Sequence, residues 1–327
     1  MNKIVIVVIG RNDHMIKCLK KHIHIKNYNN INFSKNIFWK FHCDNSIDIL
    51  DYEGLLDILE ETNPENMIVV NIDKFDEKID CDLNELVLFE KNNKFNLNLL
   101  NACIELKIKN YINVIPKATK DLDTEPDKKN NNLLDSYGLL CSKLITSVYV
   151  STVNKFSDKF NYTNIYISDI LSEYVYLDED NLIYKIIKLL DECSENMITL
   201  SYNPDQKIDI IPAEFFIEIL LSIITTEKLE KEYELSLDSD QLLTISDITN
   251  VINEYINNKY NKNTQIHFNV SDSRSITKTI SNNNISDKEV LKRYNQLDIY
   301  SIDIKAKIIQ MIEFYYTNKE HIIFENN

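Results

Sequence analysis

The stretch that decides the fold is Lys3-Ile4-Val5-Ile6-Val7-Val8-Ile9-Gly10, continued by Arg11-Asn12-Asp13-His14-Met15-Ile16. Six β-branched residues in a row leave no polar face, which is what a strand covered on both sides requires. Gly10 and a polar turn interrupt the run, and the apolar spacing from Met15 to Ile23 is helical. The chain opens on strand, turn and helix.

Outward from this unit the same alternation repeats. The spacing predicts a helix over 51–61, a buried strand over 67–72 and a helix over 83–106 with Leu86, Phe89, Leu97, Leu100 and Cys103 on its apolar stripe. A strand over 111–115, a polar loop over 119–132 containing Pro126, a long helix over 135–156, a strand over 164–170 and a helix over 182–193 follow. Strands alternating with helices at this spacing imply βαβ units and a parallel sheet. Beyond residue 200 the pattern loosens into short strand-like pieces and helices near 214–226, 246–258 and 302–317. The expected architecture is α/β: a doubly wound parallel sheet over 1–200 and a smaller C-terminal α/β lobe over 201–327, partly interleaved with the first.

Composition narrows the function classes. The net charge of −15 comes without a Lys/Arg cluster, so the basic footprint that nucleic-acid binding needs is missing. No apolar run reaches the roughly 18 residues of a membrane span, and the first ten residues are too short for a signal peptide. Cys18, Cys43, Cys81, Cys103, Cys141 and Cys193 are scattered without a CxxC pair or a histidine at ligand spacing. They read as free thiols in a reducing compartment, with the cytoplasm as the expected location. His22 and His24 flank Ile23 and cannot share one helix face, so no metal is expected. Glycine occurs at Gly10, Gly54 and Gly138 only, where about twenty would be usual. Abundant Asn, Ile and Lys beside only Arg11, Arg274 and Arg293 indicate AT-rich coding, as in a large DNA virus or a protist.

Several landmarks occur in a familiar order. Asp48-Ile49-Leu50-Asp51 precedes a helix ending at Pro64, and Val69-Val70-Asn71 closes a strand. Asn92 with Asn98-Leu99-Leu100-Asn101-Ala102-Cys103, Tyr137-Gly138 with Ser142-Lys143, the segment 209–216, Tyr233-Glu234-Leu235 with Leu243-Thr244-Ile245, and the tail from Lys292 to Tyr316 complete the series. In this order they resemble the extended short-chain dehydrogenase/reductase family, the NAD-dependent epimerase/dehydratases of nucleotide sugars, and most closely the 4,6-dehydratase branch. The resemblance implies a Rossmann-like domain holding NAD or NADP through Gly10 and Arg11, with Asp48 near the adenine. It also implies Tyr137 and Lys143 as the catalytic pair and Arg274 as the grip on a substrate diphosphate. The helix over 135–156 matches the family's dimer helix, which implies a homodimer, or a heterodimer with an active relative.

The chemistry departs from that pattern. Of the family's GxxGxxG only Gly10 survives; Asp13 stands where backbone must nearly touch pyrophosphate, and Ile16 where helix and strand pack closely. The helix start still offers partial positive charge, and Arg11 is placed to neutralise a phosphate. Four residues after Tyr137 stands Cys141, and Lys143 lies about 600° further round a helix at 100° per residue, turned away from the phenol. A local bulge would bring the two together. The Ser/Thr and Asp–Glu positions of a dehydratase fall on Ile115-Pro116-Lys117-Ala118, with Thr119 the nearest hydroxyl. Asp73-Lys74 replaces a small pair, and Ile208, Ser168 and Leu171 replace substrate-binding residues. Asp48 serves equally as a cap. The expectation is a catalytically impaired epimerase/dehydratase-like protein, a pseudoenzyme with a binding, regulatory or structural role and no cofactor. The alternatives are an active nucleotide-sugar epimerase, dehydratase or reductase with aberrant motifs, and a non-catalytic nucleotide or nucleotide-sugar binder.

Overall fold

The computed structural model describes residues 4–10, 13–28, 37–43, 51–62, 67–72, 85–116, 149, 161–177, 181–193, 197–224, 231–237, 241–269 and 303–325. The chain forms two compact units. The first comprises Met1–Ile167, Leu221–Glu234 and Ile285–Asp287; the second comprises Ser168–Leu220, Leu235–Asn284 and Lys288–Asn327.

In the first unit, β1 (Ile4–Gly10) leads into α1 (Asp13–Tyr28), β2 (Ile37–Cys43), α2 (Tyr52–Glu60), β3 (Met67–Ile72), α3 (Glu85–Glu105), β4 (Asn110–Pro116) and β5 (Asn161–Ile167). The remaining elements in chain order are β6 (Asp169–Leu171), a 3-10 helix (Glu173–Leu177), α4 (Leu182–Glu192), β7 (Met197–Leu200), β8 (Lys207–Ile208), β9 (Ile210–Pro212), α5 (Ala213–Ile224), β10 (Glu232–Leu235), β11 (Leu243–Thr244), α6 (Ile245–Tyr260), β12 (Gln265–Phe268) and α7 (Ile304–Glu325). A six-stranded sheet has the order β10-β5-β4-β3-β1-β2. Its β2–β1, β1–β3, β3–β4 and β4–β5 pairs are all parallel. The Rossmann-like α/β fold read from the opening strand is the fold observed.

Burial follows residue type. Every residue of β3 and all of β1 except Ile4 is buried, as a two-face-covered strand demands. Val5, Val7, Ile9, Met67, Val69 and Tyr111 form one core with Leu55 and Leu59 of α2 and with Phe95, Leu99, Leu100 and Cys103 of α3. Ile6 and Val8, which alternate with these, are fully buried on the other face. The strand β2 had no element assigned from sequence. Lys40 and His42 interrupt its apolar run, and as an edge among the described residues it leaves Phe38 47% exposed.

Glycine scarcity shows at the helix ends. At the close of α3 the Ile108 N–H donates to the Cys103 carbonyl at 2.8 Å and the Lys107 N–H to the Ile104 carbonyl at 3.1 Å. This is a Schellman stop, whose left-handed position glycine usually takes. Here Lys107 takes it at φ 57°, and Asn261 does the same after α6 at φ 52°.

The second unit is built from short strand pairs and helices. Here β6–β9 and β7–β12 are parallel, and β8–β11 is antiparallel. Consecutive residues of α7 point about 100° apart. Phe314 packs against Tyr174 and Tyr176, Tyr315 against Tyr184 of α4, and Tyr316 stacks on Tyr260 of α6 at 3.8 Å between centroids. Three adjacent side chains thus bind α7 to three neighbours. At the end of α4, Lys262 donates to the carbonyls of Leu190 and Asp191 at 2.8 and 2.5 Å, and Lys319 lies 3.3 Å from the Asp191 carboxylate.

Candidate functional site

A doubly wound sheet binds ligands outside the carboxyl ends of its strands, where the strand order reverses. In this chain that point lies between β1 and β3, since β1 has β2 on one side and β3 on the other. The two strands end at Gly10 and Ile72. Gly10 has φ +152°, and a Cβ built on it would stand 2.1 Å from the Ile72 carbonyl oxygen and 2.5 Å from its carbon. The backbone of β3 therefore demands this glycine. The space a side chain would fill belongs to the protein itself.

Beyond Gly10, α1 begins at Asp13. His14, Met15 and Ile16 are all buried, Ile16 to 2% exposure. In a glycine-rich dinucleotide loop the third glycine leaves room for close helix–strand packing beside the pyrophosphate. Here that position carries Ile16, a buried branched residue. Of the three positions of the glycine motif, 10, 13 and 16, glycine stands at the first alone.

On the α2/α3 face near the same strand ends lies a feature that the sequence reading missed. Asn71, Asn113 and Asn164 stand in register on β3, β4 and β5. Asn71 Nδ2 donates to Asn113 Oδ1 at 3.0 Å and to Asn96 Oδ1 of α3 at 2.8 Å. Asn113 Nδ2 donates to Asn164 Oδ1 at 3.3 Å and to the Tyr162 hydroxyl at 3.2 Å. Tyr162 stacks on Tyr111 at 5.5 Å, and burial raises its phenol pKa against the lowering effect of the Asn113 hydrogen bond. Asn71 is fully buried, and Asn93, one turn before Asn96, is 7% exposed. A buried carboxamide is costly unless hydrogen-bonded, so this row is a committed polar element. Its signal in the sequence is an asparagine in the interior of each of three apolar or β-branched strand segments, with Asn110 and Asn161 at the starts of two of them. In the sequence Asn71 stands out only as a strand landmark.

At the carboxyl end of β2, His42 Nε2 is buried without a partner. Burial lowers the His42 pKa and the Lys40 charge lowers it further, against an opposing pull from Glu61. Lys40 itself donates to Thr62 Oγ1 at 2.9 Å. In the second unit both carboxylate oxygens of Asp209 are engaged: Oδ2 accepts from Ser168 Oγ at 2.5 Å and Oδ1 from the Leu237 N–H at 2.9 Å. That pair fixes the β8–β9 connection to the start of the unit.

Of the residues singled out from sequence, Gly10 lies at the switch point. Arg11, Asp48, Tyr137, Lys143 and Arg274 lie outside the described residues, as do Asp73, Lys117 and Thr119. Of the helix expected over 135–156, Tyr149 is described; it is helical and donates its hydroxyl to Asn101 Oδ1 of α3. Among the described residues no group of three His, Cys, Asp or Glu could hold a metal ion, and no helix is long and apolar enough to cross a membrane.

No protein-family model and no curated protein sequence matches the chain. Solved structures do. A GDP-L-fucose synthetase from Naegleria fowleri bound to NADP superposes with a TM-score of 0.74 at 14% identity, covering 98% of this chain and 96% of that one. A GDP-mannoheptose C4 reductase from Campylobacter jejuni with NADP bound gives 0.68 at 10% identity, covering 97% and 99%. A UDP-glucose 4-epimerase from Thermotoga maritima with UDP-glucose gives 0.65 at 11% identity, covering 96% and 99%. This chain has their fold.

Proposed function

We propose that the protein is a degenerate member of the nucleotide-sugar epimerase/dehydratase group, a pseudoenzyme that keeps the scaffold for a binding, regulatory or structural role and transfers no hydride. The observation that carries this reading is Ile16, a branched residue buried to 2% exposure at the position of the glycine motif's third glycine. Gly10 does not argue against it, because the Ile72 carbonyl accounts for that glycine. The sequence supports the same reading: Cys141, not lysine, stands four residues after Tyr137, and no Ser/Thr–Asp–Glu series occurs at 115–118. The landmark order favours descent from the 4,6-dehydratase branch. A partner is the natural client of such a scaffold, either a second copy or an active relative docking on the segment 135–156.

The test is turnover. Purified full-length protein with NADPH or NADH and 4-keto derivatives of GDP-, UDP- and dTDP-sugars is expected to show no nicotinamide oxidation above the protein-free rate. Sustained oxidation that Tyr137→Phe abolishes would overturn the reading. A second reading, an active NADP-dependent enzyme, is favoured by the match over 98% of the chain to a synthetase bound to NADP. It predicts that NADP at 100 times its Kd stabilises the protein by about 2.7 kcal/mol.

A further inference from the structure

The asparagine row is unfinished at one end. In a register-aligned row each carboxamide turns one end toward each neighbouring strand. Asn113 has both ends engaged, with Oδ1 accepting from Asn71 and Nδ2 donating to Asn164 and Tyr162. Asn71 has one end engaged. Its register partner on the other side, in β1, is Ile9, which offers no polar side-chain atom. Asn71 Oδ1 is accordingly buried with no hydrogen bond. Turning every amide over would reverse the row and leave an amine at this end in place of a carbonyl. Either polarity leaves one atom of Asn71 over. Asn93, one turn before Asn96 on α3, adds two more buried and unpaired atoms, Oδ1 and Nδ2.

We infer that this end of the row is a built-in site for one uncharged, hydroxyl-sized group, held by an ordered water in the ligand-free protein. A group that both donates and accepts matches the unpaired Asn71 carbonyl and the unpaired carboxamide of Asn93, one helical turn from the Asn96 that holds Asn71. A buried water needs two to four polar partners, and Asn71 and Asn93 supply them. The two carboxamides carry no charge, so an anion gains no compensation for losing its own water. Asn71 is the penultimate residue of β3, next to the switch point, so a hydroxyl of a bound ligand can take the water's place.

A crystal structure of the full chain at about 1.5 Å is expected to show a water roughly 2.7–3.2 Å from both Asn71 and Asn93. Asn93→Leu, of similar volume, separates the alternatives in solution. If water bridges the pair, leucine removes one of its partners and strands Asn71, and the melting temperature falls by about 2–6 °C. If the site is dry, hydrocarbon in place of two unpaired atoms leaves the melting temperature unchanged or raises it, which overturns the inference. Water-free density beside Asn71, or Asn93 turned onto a protein partner, overturns it equally and does not depend on the variant folding.

Discussion

The two units are held together in different ways. The first is a periodic object, in which buried β-branched strands and the helical stripes of α2 and α3 meet over a common core. The second depends on individual side chains brought from distant parts of the chain. Phe314, Tyr315 and Tyr316 each meet a different element, and Asp191 meets Lys262 and Lys319 from more than 70 residues away. Pattern builds the first unit, and particular pairs build the second.

Five changes would break or sharpen that contrast. The largest effect is expected at Gly10. Gly10→Val sets a branched side chain against the β3 backbone at a φ that side chains rarely adopt. It should destabilise the protein by more than about 4 kcal/mol or prevent folding, read from urea unfolding of the purified variant.

Phe314→Ala, in the second unit, removes a ring packed on two tyrosines and should cost about 2–3 kcal/mol, less than a fully buried ring would. Hydrogen exchange should then speed up in α4 and α7 while β1, β3 and β4 stay protected. Faster exchange in the sheet would erase the distinction drawn between the units.

Asp191 offers a smaller effect with a pH signature. Burial alone would raise its pKa, but the charges of Lys319 and Lys262 outweigh burial and hold it below the ordinary 3.8. Its contribution is therefore present above that value and lost as pH falls through the lowered folded pKa. Asp191→Asn should flatten the acid limb below about pH 4 and cost about 1 kcal/mol at neutral pH. His42 works at milder acidity. Its folded pKa lies below 6.5, so the unfolded chain takes up the proton first and stability declines as pH falls from 6.5 toward the folded value. His42→Gln should remove that slope. The smallest effect is a gain: Lys107→Gly relieves a left-handed lysine and should stabilise by about 0.5–1 kcal/mol.

The legible part of the sequence was the part carried by period. The strand at Ile4–Gly10, the strand at Met67–Ile72 and the helices α2, α3 and α4 stand within a few residues of where apolar spacing placed them. The strand β2 was illegible because an edge strand with Lys40 and His42 in it breaks the run of buried residues. The asparagine row was illegible for another reason. Register between strands 40 or more residues apart is not written in any local window, so Asn71, Asn113 and Asn164 look unrelated until the sheet aligns them. At the site, the missing glycines were readable, but the reason Gly10 persists was not. It lies in the Ile72 carbonyl, 62 residues downstream.

The measurement that bears most directly on the account is a calorimetric titration of the full chain with NADPH. With buried Ile16 in place of the motif's third glycine, no saturable heat is expected at concentrations up to about 1 mM, the weak end of the affinity scale. A micromolar Kd that Ile16→Gly leaves unchanged, with the coenzyme lying across the end of β1 in the crystal, would contradict it.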